Sequence, residues 1–229
     1  MVCNFPGRNF RFKLIVLIAC CALSAHQTAS ASEEAGPHEL ANNDVSNIAS
    51  LQRGARNFVN YCSGCHSAKY VRYNQLARDL GMTEQQVIGN LMFAAARPTE
   101  VMDIAMRSED AQRWFGQAPP DLSLIARARS PDYLYNFLRS FYTDPTRATG
   151  VNNRMLPNAS MPHVLWEVQA SLKPEEFNEF VRDTVNFLDY IAEPMKLKRE
   201  SLGVLVIAFL LVFGLFAYLL KLEIWKDVN

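Results

Sequence analysis

Cys62-Ser63-Gly64-Cys65-His66 reads C-x-x-C-H, the spacing at which two thiols can add to one haem and the adjacent imidazole can ligate its iron. Two intervening residues bring both sulfurs to one edge of the macrocycle, and the small Ser63-Gly64 pair lets the backbone curl against it. A zinc site would need two further Cys or His ligands at close spacing, and the sequence offers none. A thioredoxin-like redox pair would sit between a strand and a helix, and no strand pattern surrounds this stretch. The motif therefore predicts one covalently attached haem c, with Cys62 and Cys65 as attachment points and His66 as an iron ligand.

The rest of the chain is consistent with that centre. Of five cysteines, Cys3, Cys20 and Cys21 lie in the N-terminal segment, so no pair remains for a structural disulfide. The chain of 229 residues has a formal net charge of zero, which gives no footprint for nucleic acid.

Residues 1–31 read as an export signal: Arg8, Arg11 and Lys13, then the apolar run from Leu14 to Leu23, then Ala29-Ser30-Ala31 before Ser32. Leu17-Ile18-Ala19-Cys20 also has the local pattern of a lipoprotein signal, though its apolar run is very short. At the other end, Ser201 to Leu220 is uncharged and almost wholly apolar. As a helix those residues reach about 30 Å, enough to cross a bilayer. The expected organisation is a signal peptide at 1–31, a periplasmic haem domain at 32–195, a transmembrane anchor with basic flanks at 196–221 and a short cytoplasmic tail at 222–229. Three basic residues, Lys196, Lys198 and Arg199, precede the span, against the positive-inside rule; the export signal and the haem motif outweigh that bias. Residues 32–195 carry 15 Lys and Arg against 20 Asp and Glu, an acidic balance suited either to ordinary solubility or to steering a basic redox partner.

Between the ends the patterning is helical. Ile48, Leu51, Ala55, Phe58 and Val59 form a stripe on a helix over 46–61, where Gly54 would permit close approach of another helix. Thr83 and Gln86 make a capping box for a helix ending at Pro98, and Ser108 with Glu109 and Asp110 can cap another. Lys69 to Tyr73 reads as loop or short helix. Ser130-Pro131 opens a helix with Leu134, Phe137, Leu138 and Phe141 inward. Pro174-Glu175-Glu176 begins the last helix before the span, the expected partner of Gly54 and Phe58. Residues 143–163 lack a helical period, and so long a loop in a compact domain is usually functional.

That loop supplies the candidates for a second axial ligand: Met155, Met161 and His163. Met161 precedes Pro162, which stiffens the backbone presenting the thioether. A Met ligand raises the potential, as in electron-carrying cytochromes; His163 would give a bis-His haem, and an empty site would suit gas binding or peroxide chemistry. Met92, Met102 and Met106 sit at helical spacings and read as core packing. Arg127, Arg129, Tyr133 and Tyr135 are the local donors for haem propionates, although from spacing alone the two arginines read as a solvated pair.

Cys62-x-x-Cys65-His66, Pro119-Pro120-Asp121-Leu122-Ser123, Arg127-x-Arg129, Met161-Pro162 and a C-terminal anchor occur in this order. With them the chain resembles the cytochrome c1 family, haem subunits of the cytochrome bc1 complex, and the run from Met161 to Glu167 looks like its proteobacterial members. The resemblance covers roughly residues 46–226. It implies an all-α cytochrome c-like domain with one C-terminal transmembrane helix. It further implies His66 and Met161 as iron ligands, Arg129 and Tyr133 beside a propionate, and Pro120 packed by the haem. In the family, electrons pass from the Rieske iron–sulfur protein to a soluble c-type cytochrome, and the anchor docks onto cytochrome b in a dimeric complex. Such a chain is not an enzyme by itself. The 94 residues between His66 and Met161 are fewer than in members with insertions. The rival readings are a free-standing anchored cytochrome serving an oxidase, and an open-site haem peroxidase or sensor.

Overall fold

The computed structural model describes residues 39–226; the export segment expected at residues 1–31 lies outside them. The described chain is mostly helical, and its core is built on two long helices, α1 (Ile48–Tyr61) and the later α8 (Pro174–Ala192). Asn47 caps α1 by accepting from the Ser50 amide at 3.1 Å. Of its expected stripe Leu51, Ala55, Phe58 and Val59 are buried, whereas Ile48 in the first turn is exposed. Helix α8 begins with a proline and two glutamates, and the Lys173 amide donates to Glu176 at 3.2 Å.

Where the two helices cross, Gly54 takes the place of a side chain. A Cβ there would meet the Asp183 backbone oxygen at 2.0 Å, so only glycine permits this approach. Phe58 packs on Phe187 with ring centroids 5.6 Å apart, and Tyr61 meets Phe180 edge-on at 5.5 Å. The contact has a polar strip as well. Buried Asp183 accepts from Ser50 Oγ at 2.6 Å and from Arg53 Nε and Nη2 at 2.5 and 2.9 Å, so its carboxylate is fully satisfied.

Between these helices the chain forms β1 (Ala68–Arg72), α2 (Tyr73–Asp79), α3 (Glu84–Asn90), β2 (Val101–Met102), α4 (Ser108–Phe115), α5 (Ile125–Arg129), α6 (Pro131–Arg139), β3 (Phe141–Thr143), β4 (Val151–Asn153) and α7 (Trp166–Ser171). Several expectations are corrected here, the first being that Lys69 to Tyr73 is loop or short helix: Lys69 to Arg72 lie in β1. A strand does follow the C-x-x-C-H stretch: β1 pairs antiparallel with β2, Ala68 opposite Met102. Helix α3 is also shorter than expected. The Thr83–Gln86 capping box is present, but the helix stops at Asn90. The chain then turns so that the Pro98 and Glu100 carbonyls accept from Asn74 and Tyr73. Met102 consequently packs from a strand and is buried. Helix α4 has the expected acidic first turn, yet its cap position is Arg107, which makes no side-chain cap bond.

Ser130 caps α6, accepting from the Tyr133 amide at 3.2 Å, with Pro131 in the first turn. Leu134 and Leu138 are buried and Phe137 partly so, while Phe141 has left the helix for β3. The segment after it contains the β3–β4 hairpin, Phe141 opposite Asn153 and Thr143 opposite Val151.

Helix α9 (Lys196–Ile224) follows α8 after a three-residue break. Its stretch Ser201–Ile224 is long and apolar enough to cross a membrane and is not buried within the chain. At 24 residues it spans about 36 Å. Lys196 and Arg199 at its start pair at 3.1 and 2.6 Å with Asp189 of α8 and with Glu193 just past its end.

Candidate functional site

The end of α1 delivers Cys62. Its amide still bonds to the Phe58 carbonyl at 2.8 Å, and the Cys65 and His66 amides return to the Cys62 carbonyl at 3.0 and 2.9 Å. This tight turn places Cys62, Cys65 and His66 on the wall of one cavity of about 270 Å³. Both cysteines are free thiols. Burial, with a smaller contribution from Cys65, pushes the Cys62 thiol up to about 12, and burial raises Cys65 as well. A redox C-x-x-C pair works through a lowered thiol pKa, and the shifts here run the other way. Among the described residues no cluster of three or more His, Cys, Asp or Glu is placed to hold a metal ion.

His66 is oriented through one nitrogen. Its Nδ1 lies 2.8 Å from the Pro120 carbonyl oxygen, so Nδ1 carries the proton in that bond and Nε2 keeps its lone pair. Burial lowers the imidazole pKa, against the opposing Pro120 bond and the Asp121 charge; the ring is neutral at neutral pH and fit to ligate a metal. The Pro120 loop is itself clamped. Asp121 accepts from Ser67 Oγ at 2.6 Å and from the Lys69 and Ser123 amides at 2.9 Å, and the Leu122 amide reaches the Ser67 carbonyl at 2.8 Å. Burial opposes ionisation of Asp121, yet hydrogen bonds from Ser123, Ser67 and the amides outweigh it and hold the carboxyl below its usual range.

The rest of the wall comes from far along the chain. Helix α6 contributes Tyr133, Leu134, Phe137 and Leu138, α8 contributes Thr184 and Leu188, and the loop before α7 contributes Met161 and Pro162. Of the three alternatives for a second axial ligand, Met161 lines the cavity; Met155 and His163 are not among its lining residues. His163 instead bonds Gln169 Oε1 through Nε2 at 2.7 Å. The arginine pair is split in the same way. Arg127 pairs with Glu193 at 3.5 Å. Arg129 lines the cavity with its guanidinium 5.7 Å over the Tyr133 ring, and among the described residues it has no ion-pair partner.

Cys62, Cys65, His66, Met161, Arg129, Tyr133 and Pro120 thus all face one space. Two uncharged thiols, an imidazole held through one nitrogen, a thioether, a mostly apolar wall and a cation without an acidic partner are the donor set that a covalent haem c requires. The residues present fit that group. Sequence reasoning passed over Asn152 and Asn153, which are buried within the loop that brings Met161 in. Asn153 Nδ2 donates to the Phe137 carbonyl, and its Oδ1 accepts from Met155 and Leu156. Asn152 Oδ1 accepts from the Asn158 amide at 2.8 Å. Polar residues between prolines in an aperiodic loop are the one signal that could have marked them.

Comparison with known proteins identifies the family. A family model described as Cytochrome C1 family matches residues 42–228. Cytochrome c1 of Allochromatium vinosum is 44% identical, over 93% of this chain and 99% of that protein. The ammonia monooxygenase gamma subunit of Nitrosomonas europaea is 40% identical, over 81% of this chain and 86% of that protein. Cytochrome c1 of Rhodospirillum rubrum is 28% identical, over 78% and 82% respectively. The match runs through the haem motif, the cavity and the anchor helix alike, and the chain belongs to the cytochrome c1 family.

Proposed function

We propose that the chain is the membrane-anchored haem subunit of a cytochrome bc1 complex, an electron carrier and not an enzyme by itself. In this reading it takes electrons from the Rieske iron–sulfur protein and passes them to a soluble c-type cytochrome. The observation that carries it is the convergence of Cys62, Cys65, His66 and Met161 on one apolar cavity while His163 and Met155 stay off its wall.

Haem c held there supplies a one-electron Fe(III)/Fe(II) couple. Cys62 and Cys65 bind it through thioether bonds. His66 ligates through Nε2, with Nδ1 fixed on Pro120, and Met161 provides the second ligand from a different segment. With both ligands from the protein, no substrate need reach the metal, which fits a carrier better than a peroxidase or sensor. Arg129 and Tyr133 at the cavity receive a propionate. Phe137, Leu134, Leu138 and Leu188 exclude water, and a dry, low-dielectric wall is one of the levers that tunes such a potential.

The remaining organisation follows from this reading: a cleaved signal over 1–31, a periplasmic domain over 32–195, the anchor from 196, and a short cytoplasmic end. Cytochrome b is the partner of the anchor, within a dimeric assembly. The name of the Nitrosomonas relative supports a second reading, in which the same haem domain serves a different membrane complex.

The test is the visible spectrum of the detergent-purified protein, oxidised and reduced, with an assay for co-purifying b-type cytochrome. A low-spin spectrum with the ferric iron–thioether band and a b-type partner is expected. A low-spin spectrum without that partner would favour the second reading, and a high-spin spectrum would overturn the carrier account.

A further inference from the structure

Arg129, Tyr133, Phe137 and Phe141 recur every four residues, and in the fold they form a stacked column. The Arg129 guanidinium lies 5.7 Å over Tyr133. Tyr133 stacks on Phe137 at 6.1 Å and 15°, and Phe137 meets Phe141 edge-on at 5.4 Å. The column ends on His163, whose ring lies parallel to Phe141 at 5.0 Å and 6°. Tyr133 and Phe137 line the haem cavity, so the column forms part of its wall. His163 is two residues beyond Met161, with only Pro162 between.

Two further contacts made by His163, and a turn closed across it, fix its place. Its Nε2 bonds Gln169 Oε1 at 2.7 Å on α7. Its carbonyl accepts from the Trp166 amide at 3.3 Å at the start of that helix, and the Val164 amide closes onto the Pro162 carbonyl at 2.9 Å. Among the described residues its Nδ1 is buried without a hydrogen-bond partner. A phenylalanine could make the stack; the bond to Gln169 is what requires an imidazole. Pro162 leaves little backbone freedom between the clamp and the thioether.

We propose that His163 is the positioning residue for Met161: it locks the distal loop between the Phe141 ring and Gln169, and so holds the Met161 thioether in the haem cavity. The inference rests on Met161 being the second iron ligand.

Three variants of the full-length, haem-loaded protein test it. His163→Ala removes stack and hydrogen bond, His163→Phe keeps the stack alone, and Gln169→Leu removes the bond alone. The readouts are the ferric iron–thioether band and the rate of carbon monoxide association with the ferrous protein, which reports the fraction with Met161 detached. Losing one hydrogen bond raises that fraction roughly fivefold, so Gln169→Leu and His163→Phe should bind carbon monoxide about five times faster. Losing the stack too should take His163→Ala to about tenfold or more, with a visibly weaker band. A wild-type band and rate in His163→Ala, even with a lowered melting temperature, would overturn the proposal. Should His163→Ala take up no haem, an unchanged rate in Gln169→Leu and His163→Phe would overturn it equally. A wild-type protein without the thioether band, or a band surviving Met161→Leu, would instead refute Met161 as ligand, and the proposal would fall with it.

Discussion

Gly54 on α1 and Asp183 on α8 approach so closely that a Cβ on Gly54 would stand 2.0 Å from the Asp183 backbone oxygen and 2.7 Å from the Phe187 Cβ. The obstacle is backbone, so no rotamer change relieves it. Gly54→Ala would gain about 1 kcal/mol of helix propensity, and overpacking at a backbone contact costs more than that, about 3 kcal/mol. A net loss of roughly 2 kcal/mol is expected, read as a lower denaturation midpoint of the haem-loaded protein. An unchanged midpoint would mean the two helices slide apart without cost.

Met161→Leu should abolish the ferric iron–thioether band and lower the reduction potential, because a thioether favours the ferrous state. Met155→Leu, altering a residue off the cavity wall, should change neither. Redox titration with spectra of both variants decides between the two methionines.

Arg129 and Arg127 should separate in the same experiment. Arg129→Gln removes a cation from the cavity wall, which penalises the reduced form by about 1 kcal/mol and lowers the potential. Arg127 is engaged with Glu193, so Arg127→Gln should leave the potential where it is. Equal shifts in the two variants would point to long-range charge in place of a specific contact.

Asp121 gives a pH dependence of defined sign. Its folded carboxyl titrates below the ordinary 3.8. The stability it contributes is therefore present above that value and is lost as pH falls through the lower, folded value. The stability gap between wild type and Asp121→Ala should be constant near neutrality and narrow only in acid. Denaturant melts at several pH values check this, and a gap that widened in acid would contradict the clamp described for the Pro120 loop.

The elements legible in the sequence are those set by neighbours in the chain. The Thr83–Gln86 box, the Ser130-Pro131 start and the α1 stripe each need only residues within one or two turns, and all but the exposed Ile48 are where their patterns put them. Gly54 was legible because a glycine inside an otherwise good helix requires a reason. The β1–β2 pair was not, because Ala68 and Met102 are joined across 34 positions and neither strand has a period of its own. For the same reason Arg127 and Arg129 look alike in sequence, and only Glu193, far along the chain, tells them apart. Which of Met155, Met161 and His163 reaches the cavity depends on how the loop folds, and the bonds of the buried Asn152 and Asn153 amides join residues too far apart to be read from a local pattern.

The four-residue recurrence of Arg129, Tyr133, Phe137 and Phe141 has a consequence for how this chain can change its length. One residue added within α6 would rotate everything beyond it by about 100° about the helix axis. Phe141 would turn away from His163, and Arg129 would no longer stand over the same wall. An insertion within α6 therefore breaks the contacts that join Arg129, Tyr133, Phe137, Phe141 and His163, whatever residue is added. Spacing in that short segment is as much a part of the haem site as the cysteines.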